Sequence, residues 1–183
     1  GTVTGGVVSA DTGQPLTATI SLRGTPLSVT TDATGRYTLT VPTGEYDVVA
    51  WPALLGHRGA RDPIAVTAGE TLIVDFALES APRVLLVDAD RWLPASEVTY
   101  YEDALRELLY PYHIHAIDTL DAVPTADELG GYDVVIWSQP QASPGYIGAW
   151  GSLSAYLDGG GRLFISGQDI GYWDDYRGEG LSY

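Results

Sequence analysis

The chain has 183 residues, and 45% of them are hydrophobic, which is enough for the packed cores of one large or two small domains. The net charge is −15 and lysine is absent, so the clustered basic residues that bind phosphate are missing and nucleic acid is excluded as a partner. Cysteine and asparagine are absent too, which excludes disulfides, thiolate nucleophiles and N-glycosylation acceptors, and no run of about 18 apolar residues predicts a membrane span. The chain lacks a starting methionine and a signal-type leader, so we expect an excised or mature piece.

Residues 1–80 contain short β-branched and aromatic runs without helical periodicity, which predicts an all-β sandwich of about seven strands. The runs are Ala18–Leu22, Tyr37–Val41, Tyr46–Ala50 and Leu72–Leu78. Turn residues separate them. In one turn, Asp32 is expected to bond the backbone two residues on and Gly35 to supply a positive φ. We favour this structural role for Asp32 over a calcium site, because the loop offers a single carboxylate.

Motifs in this segment resemble, in order, those of the carboxypeptidase regulatory-like domain. They are Gly6-Val-Val, Thr12-Gly-Gln-Pro-Leu16, Ala18-Thr-Ile-Ser-Leu22, Thr30-Thr-Asp-Ala-Thr-Gly-Arg-Tyr37, Val41-Pro-Thr-Gly-Glu-Tyr46 and Ala68-Gly-Glu70. The resemblance implies a transthyretin-like (prealbumin-like) fold and a non-catalytic module appended to extracellular enzymes and surface proteins. It therefore implies a secreted, extracellular location.

Ser80-Ala-Pro82 is the predicted linker, and a second domain is expected over residues 83–183. Charge changes at the same point. Residues 1–82 carry four arginines against eight acidic residues, and residues 83–183 carry five against sixteen, for net charges of −4 and −11. Most of the acidity therefore belongs to the second domain.

In the second domain, apolar runs alternate with helical patterns, which predicts an α/β fold: a three-layer, open, mostly parallel, flavodoxin-like sheet. The predicted strands are Val84–Asp88, His113–Ile117, Asp133–Trp137 and Arg162–Ser166. Between them we expect a helix from Val98 to Leu109 capped by Ser96, a capping box at Thr125–Glu128, and a helix that begins at Ser143-Pro144 and ends at Gly159–Gly161.

Three motifs here resemble the class I glutamine amidotransferase-like fold, in the form attached to secreted bacterial subtilisin-like peptidases. They are Val84-Leu-Leu-Val-Asp-Ala-Asp-Arg-Trp92, Tyr132-Asp-Val-Val-Ile-Trp137 and Gly160-Gly-Arg-Leu-Phe-Ile-Ser-Gly-Gln168. The resemblance implies a sheet of more than four strands. It leaves open whether the domain continues beyond Tyr183.

Ligands of open parallel sheets collect outside the carboxyl ends of the strands, so the residues that follow each strand are the candidate site. Most of these residues carry a carboxylate or an amide. We add the aromatic side chain of Trp173, which could stack on a sugar or peptide. The candidate ligand-binding residues are Asp88, Asp90, Asp118, Gln139, Gln168, Asp169 and Trp173. For Trp173, core packing or a domain interface is the competing interpretation.

Catalysis is not predicted at this site. In the amidotransferase pattern, Gln168 occupies the position of the nucleophile, and an amide cannot attack a carbonyl. Asp88-Ala-Asp90 is similar to the Asp-x-Asp of haloacid-dehalogenase-type phosphatases, but those enzymes also use a lysine, and this chain has none. His113 and His115 share a strand face, and without a third ligand we favour a structural role over a metal pair.

We therefore predict a non-catalytic accessory fragment whose parent is a secreted bacterial peptidase, with no cofactor and no metal. Its expected partner is the parent's catalytic domain, in a positioning or substrate-contacting role. The alternative is a carbohydrate- or peptide-binding module that uses the acidic and aromatic cleft. A third hypothesis is a hydrolase site completed by residues beyond Tyr183.

Overall fold

The structure is a computed structural model, and it describes residues 1–89, 97–119, 122–139, 147–168, 170, 172–176 and 178. The chain divides into two compact units, one of Gly1–Ala81 with Leu109–Pro111 and one of Pro82–Leu108 with Tyr112–Tyr183. None of the helices within the described ranges combines the length and apolar character that a membrane span needs.

Eight strands form the first unit. They are β1 (Thr2–Ser9), β2 (Ala18–Leu22), β3 (Ser28–Thr30), β4 (Arg36–Thr40), β5 (Gly44–Pro52), β6 (Ala60–Val66), β7 (Thr71–Ile73) and β8 (Phe76–Leu78). In one four-stranded sheet, β1 is central, antiparallel to β4 on one side and parallel to β7 and β8 on the other. The other sheet is antiparallel, in the order β3-β2-β5-β6.

The core of this unit follows from strict alternation along the strands. In β1 every second residue is buried, including Val3 and Val7, and in β2 Ile20 is fully buried. Since the strand period is two, one face of each sheet turns inward and the other remains half-exposed. These side chains belong to one apolar cluster, so the unit is an all-β sandwich.

The sequence predicts one strand from Leu72 to Leu78, but the structure divides it into β7 and β8. Gly5 of β1 approaches the break so closely that a Cβ at this position would lie 1.9 Å from the Val74 carbonyl oxygen. Beside it, the backbone N–H of Gly6 donates to Asp75 Oδ1 at 2.7 Å. The Asp75 carboxylate thus takes the place of a backbone carbonyl as the acceptor for Gly6. Because of this break, the unit has eight strands rather than about seven.

The structural role predicted for Asp32 is confirmed. Its Oδ1 accepts hydrogen bonds from the backbone N–H of Thr34 at 2.8 Å, the Thr34 hydroxyl at 2.7 Å and the backbone N–H of Arg36 at 3.0 Å. These bonds, that of the Thr34 hydroxyl first, hold the pKa of Asp32 below its ordinary value. Gly35 has a φ of 76°, as expected, so the chain reverses there without a strained side chain.

Four parallel strands and four helices are described in the second unit. They are β9 (Val84–Asp88), α1 (Val98–Glu107), β10 (Tyr112–Ala116), α2 (Ala126–Leu129), β11 (Val134–Ser138), α3 (Trp150–Asp158), β12 (Arg162–Ser166) and α4 (Tyr172–Tyr176). The strand order is β10-β9-β11-β12. All five residues of β9 are buried, as expected for an inner strand of a parallel sheet.

The helix ends differ in part from the predictions. The capping box at Thr125 and Glu128 is confirmed. The N-cap of α1 is Glu97, without a side-chain cap bond, and Ser96 lies outside the described residues. The helix predicted from Ser143-Pro144, residues that also lie outside them, begins only at Trp150, because Gly148 has a left-handed φ of 65° that interrupts a helix.

Candidate functional site

The carboxyl ends of the four parallel strands are level with one another. Asp88 of β9 lies opposite Ala116 of β10 and Ser138 of β11, and Ser138 lies opposite Ser166 of β12. Backbone hydrogen bonds continue one residue beyond the strands. The N–H of Ile117 donates to the Asp88 carbonyl at 2.8 Å, and the N–H of Ala89 donates to the Ser138 carbonyl at 3.0 Å. The N–H of Gln139 donates to the Ser166 carbonyl at 2.8 Å. We name this row of strand ends the carboxyl edge.

Three oxygen-bearing side chains occupy corresponding positions at the carboxyl edge. Asp88, Ser138 and Ser166 are neighbours in register, and directly paired residues of a sheet share a face. Asp88 is 6% exposed and Ser138 is 1% exposed. The Ser138 hydroxyl is buried and has no hydrogen-bond partner among the described residues, which is unusual for a buried polar group.

On the opposite face of the sheet, Gln139 is buried and Gly167 packs against it. A Cβ at residue 167 would lie 2.3 Å from the Gln139 Cβ, so only glycine fits there. Gln168 follows directly and is exposed. Beyond β10, Asp118 is exposed as well. The edge therefore combines buried and accessible polar groups.

Four of the predicted site residues, Asp88, Asp118, Gln139 and Gln168, thus follow or end strands that meet at one edge. Asp90 and Asp169 lie outside the described residues. Trp173 lies in α4, and its side chain is outside what the structure describes. Ligand binding by all seven remains a prediction.

Ser138 and Ser166 were not among the predicted site residues. Ser138 directly follows the predicted strand Asp133–Trp137, and Ser166 ends the predicted strand Arg162–Ser166. A signal was present. In the structure, β9, β11 and β12 each have five residues and end in a polar side chain. Alignment of the three apolar runs so that each ends in its polar residue places the two serines beside Asp88.

The two histidines of β10 have structural partners. The Nδ1 of His113 lies 3.0 Å from the Tyr132 hydroxyl, and the Nε2 of His115 lies 2.8 Å from the Ala122 carbonyl oxygen. Within the ranges that the structure describes, no three His, Cys, Asp or Glu side chains come close enough together to hold a metal ion.

Asp174 is a buried carboxylate that the sequence analysis did not single out. It is fully buried, and its oxygens accept from the backbone N–H of Ile147 at 3.2 Å and of Gly148 at 3.0 Å. These N–H groups lie just before α3, so Asp174 ties α4 to the start of that helix. A carboxylate with several N–H donors is well stabilised when buried.

The two sheets of the first unit define the class of this domain, an all-β sandwich. Residues 2–79 match the family described as the carboxypeptidase regulatory-like domain. The first unit is therefore a carboxypeptidase regulatory-like domain, and the resemblance of its motifs is confirmed. No curated protein matches the chain.

Several solved structures are similar to part of the chain. One is a chain of a type II cohesin–X–dockerin complex from Acetivibrio cellulolyticus, with 20% identity over 43% of this chain and 56% of that chain and a TM-score of 0.35. Another is 5-hydroxyisourate hydrolase from Klebsiella pneumoniae, with 19% identity, 44% and 90% coverage and a TM-score of 0.34. A third is the pilus 2b backbone protein of group B streptococcus, with 16% identity, 44% and 41% coverage and a TM-score of 0.35. The chain thus spans little more than half the length of the cohesin–dockerin chain.

Proposed function

We propose that this chain is a non-catalytic accessory fragment of a secreted bacterial hydrolase, with a subtilisin-like serine peptidase as the parent. The family match of residues 2–79 supports an accessory role, because such domains are appended to extracellular enzymes. In this proposal the second unit is an amidotransferase-like domain that positions the catalytic domain or contacts the substrate.

Gln168 is the observation that carries this proposal. It is exposed two residues beyond β12, where the amidotransferase-like pattern requires a cysteine or serine nucleophile. An amide is not a nucleophile toward a carbonyl. His113 and His115 of β10 contact Tyr132 and Ala122 instead of a serine hydroxyl, which also supports a role without acyl transfer.

A hydrolysis assay of the purified chain tests this role. We expect no turnover of glutamine or of peptides above buffer, and no change in Gln168→Ala or Asp169→Ala. Turnover that either substitution abolishes would show the proposal to be wrong. The parent is tested separately by the reading frame on both sides of this segment. A serine peptidase domain with its Asp, His and Ser supports the proposal, and a frame without one overturns the peptidase parent.

A second candidate is a carbohydrate- or peptide-binding module that uses the carboxyl edge. The observation that favours it is the buried Ser138 hydroxyl, which has no described partner beside the buried Asp88. Tryptophan-fluorescence titrations with polysaccharides and peptides test it. Saturable binding that weakens in Trp173→Ala and Ser138→Ala, but not in Trp51→Ala of the first unit, supports it. A flat response across the ligands rejects it.

A further inference from the structure

The opposite, amino-terminal end of the parallel sheet contains a cavity of about 300 Å³. It is lined by residues that precede or begin β9, β11 and β12, and by residues of α2 and α3 and of the turns that follow these helices. The lining side chains that carry charge or a hydroxyl are Arg83, Asp133, Arg162, Tyr132 and Tyr156. We name this space the amino-edge cavity. Its volume is at the lower end of the range for small-molecule sites.

One of its two arginines is already paired. The Nε of Arg83 donates to Asp133 Oδ2 at 3.1 Å, its Nη2 donates to Oδ1 at 3.0 Å, and its backbone N–H adds a third bond to Oδ2 at 2.8 Å. This fork-like pairing saturates much of the Asp133 carboxylate. The pair therefore contributes little net charge to the cavity.

The other arginine, Arg162, is held in place by hydrogen bonds of its backbone. The N–H of Arg162 donates to the Tyr156 hydroxyl at 3.1 Å, and that hydroxyl donates to the Arg162 carbonyl at 3.1 Å. The side chain is exposed, and its charge adds to the larger effect of Arg83 in lowering the pKa of Asp133. Two arginines and one carboxylate thus line the cavity, which leaves an excess of one positive charge there, in a unit of net charge −11.

In the last turn of α3, which lines the cavity, two carbonyl groups accept hydrogen bonds from the glycines that follow the helix. At the end of α3, Gly160 N–H donates to the Leu157 carbonyl at 2.9 Å and Gly161 N–H donates to that of Tyr156 at 3.0 Å. Gly161 also leaves room for the tyrosine, since a Cβ there would lie 2.2 Å from the Tyr156 ring. These glycines add no side chains that would fill the cavity.

We propose that the amino-edge cavity binds a carboxylate, held by the Arg162 guanidinium above a floor of glycine backbone and tyrosine. A guanidinium presents paired N–H groups that match the two oxygens of a carboxylate. A monoanion fits better than a phosphate dianion, because the two arginines of the lining exceed its one carboxylate by a single charge. This site lies at the end of the sheet opposite to the carboxyl edge, and it does not depend on the function proposed above.

The test is an amide NMR titration of the full chain with trialanine as the free acid and as its C-terminal amide, at equal ionic strength. N-acetylglutamate α-amide tests a side-chain carboxylate in the same way. We expect a carboxylate to shift the amide signals of Gly159–Arg162 and Tyr132, and the amide of trialanine to bind at least about tenfold more weakly, since a charge-assisted bond is lost. Whichever carboxylate binds more tightly identifies the source.

Variants assign the site. Arg162→Gln is expected to weaken binding at least about tenfold, because it removes the charge and leaves the backbone bonds to Tyr156 in place. Arg106→Gln is the matched control, since Arg106 is an exposed arginine of α1 that pairs with Glu102 at 2.9 Å. Binding that is equal for acid and amide, unchanged in Arg162→Gln, or accompanied by no localised shifts overturns the proposal.

Discussion

The hydroxyl of Tyr37 donates a 2.7 Å hydrogen bond to the backbone carbonyl of Val74, at the break between β7 and β8. Tyr37 lies opposite Gly5 in the sheet, and the missing side chain of Gly5 makes room for the same carbonyl. Burial, with smaller effects from Asp75 and Asp62, raises the pKa of Tyr37 to about 12. One buried hydroxyl thus satisfies the carbonyl that the interrupted ladder exposes.

Tyr37→Phe is expected to lower the free energy of unfolding by about 1–2 kcal/mol, because the buried Val74 carbonyl loses its partner. The raised pKa means that the contribution of Tyr37 is complete below pH 10 and is lost as pH rises through about 12. Urea denaturation measures both effects. Tyr46→Phe is the control, since Tyr46 packs on the same core and has no described hydroxyl bond; equal losses in both variants would contradict the prediction.

The pKa of the Asp133 carboxyl group is expected to lie well below that of an ordinary aspartate. Its hydrogen bonds with Arg83 lower its pKa from 3.8 to about 2. A depressed folded-state pKa gives stability that is present above pH 3.8 and is lost as pH falls through about 2. Carboxyl NMR titration should show the pKa returning toward 3.8 in Arg83→Gln and no change in Arg106→Gln. An unchanged pKa in Arg83→Gln would mean that another group depresses it.

Alanine substitutions at Gly35 and Gly13 distinguish the cost of a left-handed backbone from the cost of steric overlap. Both have a left-handed φ, of 76° and 68°, but a Cβ at residue 35 would lie 2.5 Å from the Val7 carbonyl oxygen while residue 13 has open space. Gly13→Ala should therefore cost only about 1 kcal/mol of stability, from the left-handed backbone alone. Gly35→Ala should cost clearly more, as measured by thermal unfolding, and equal costs would mean that the Val7 strand shifts freely.

Asp174→Ala is expected to lower the free energy of unfolding by about 2–3 kcal/mol, because two buried N–H groups lose a charged acceptor. The amide proton signals of Ile147 and Gly148 should shift as their hydrogen bonds are lost. Asp175→Ala, at the exposed neighbouring position of α4, should have little effect on either measurement. Unmoved Ile147 and Gly148 signals in the Asp174 variant would show that these bonds do not form.

Ser138→Ala is expected to raise the free energy of unfolding by about 1 kcal/mol, since it removes a buried hydroxyl with no described partner. Ser154→Ala, on the exposed side of α3, should change it by about 0.5 kcal/mol or less. A loss of stability in Ser138→Ala, measured by urea denaturation, would mean that the hydroxyl has a structural partner. A gain in stability together with weaker ligand binding would indicate that Ser138 is kept for binding.

The sequence predicted those features of the fold that depend on residues close together in the chain. The capping box of Thr125 and the turn at Asp32 each depend on residues within four positions. The break at Val74 was not predictable in this way, because the residues that pack against it, Gly5 and Gly6, belong to another strand. Asp174 and the amino-edge cavity were missed for the same reason. Asp174 binds a backbone N–H 26 residues away, and the cavity is lined by residues from Arg83 to Arg162, so no local pattern in the sequence indicates either of them.

The central position of β1 has a consequence for synthesis. The first strand of this unit, β1, pairs with β4 and also with β7 and β8, which are the last strands of the unit to be made. The sandwich therefore cannot close until Leu78 has emerged, and long-range pairing of this kind is slow. In the second unit, β9 needs only β10, the next strand, to begin its sheet. Ribosome-bound chains that end before β8 should remain protease-sensitive throughout the first unit.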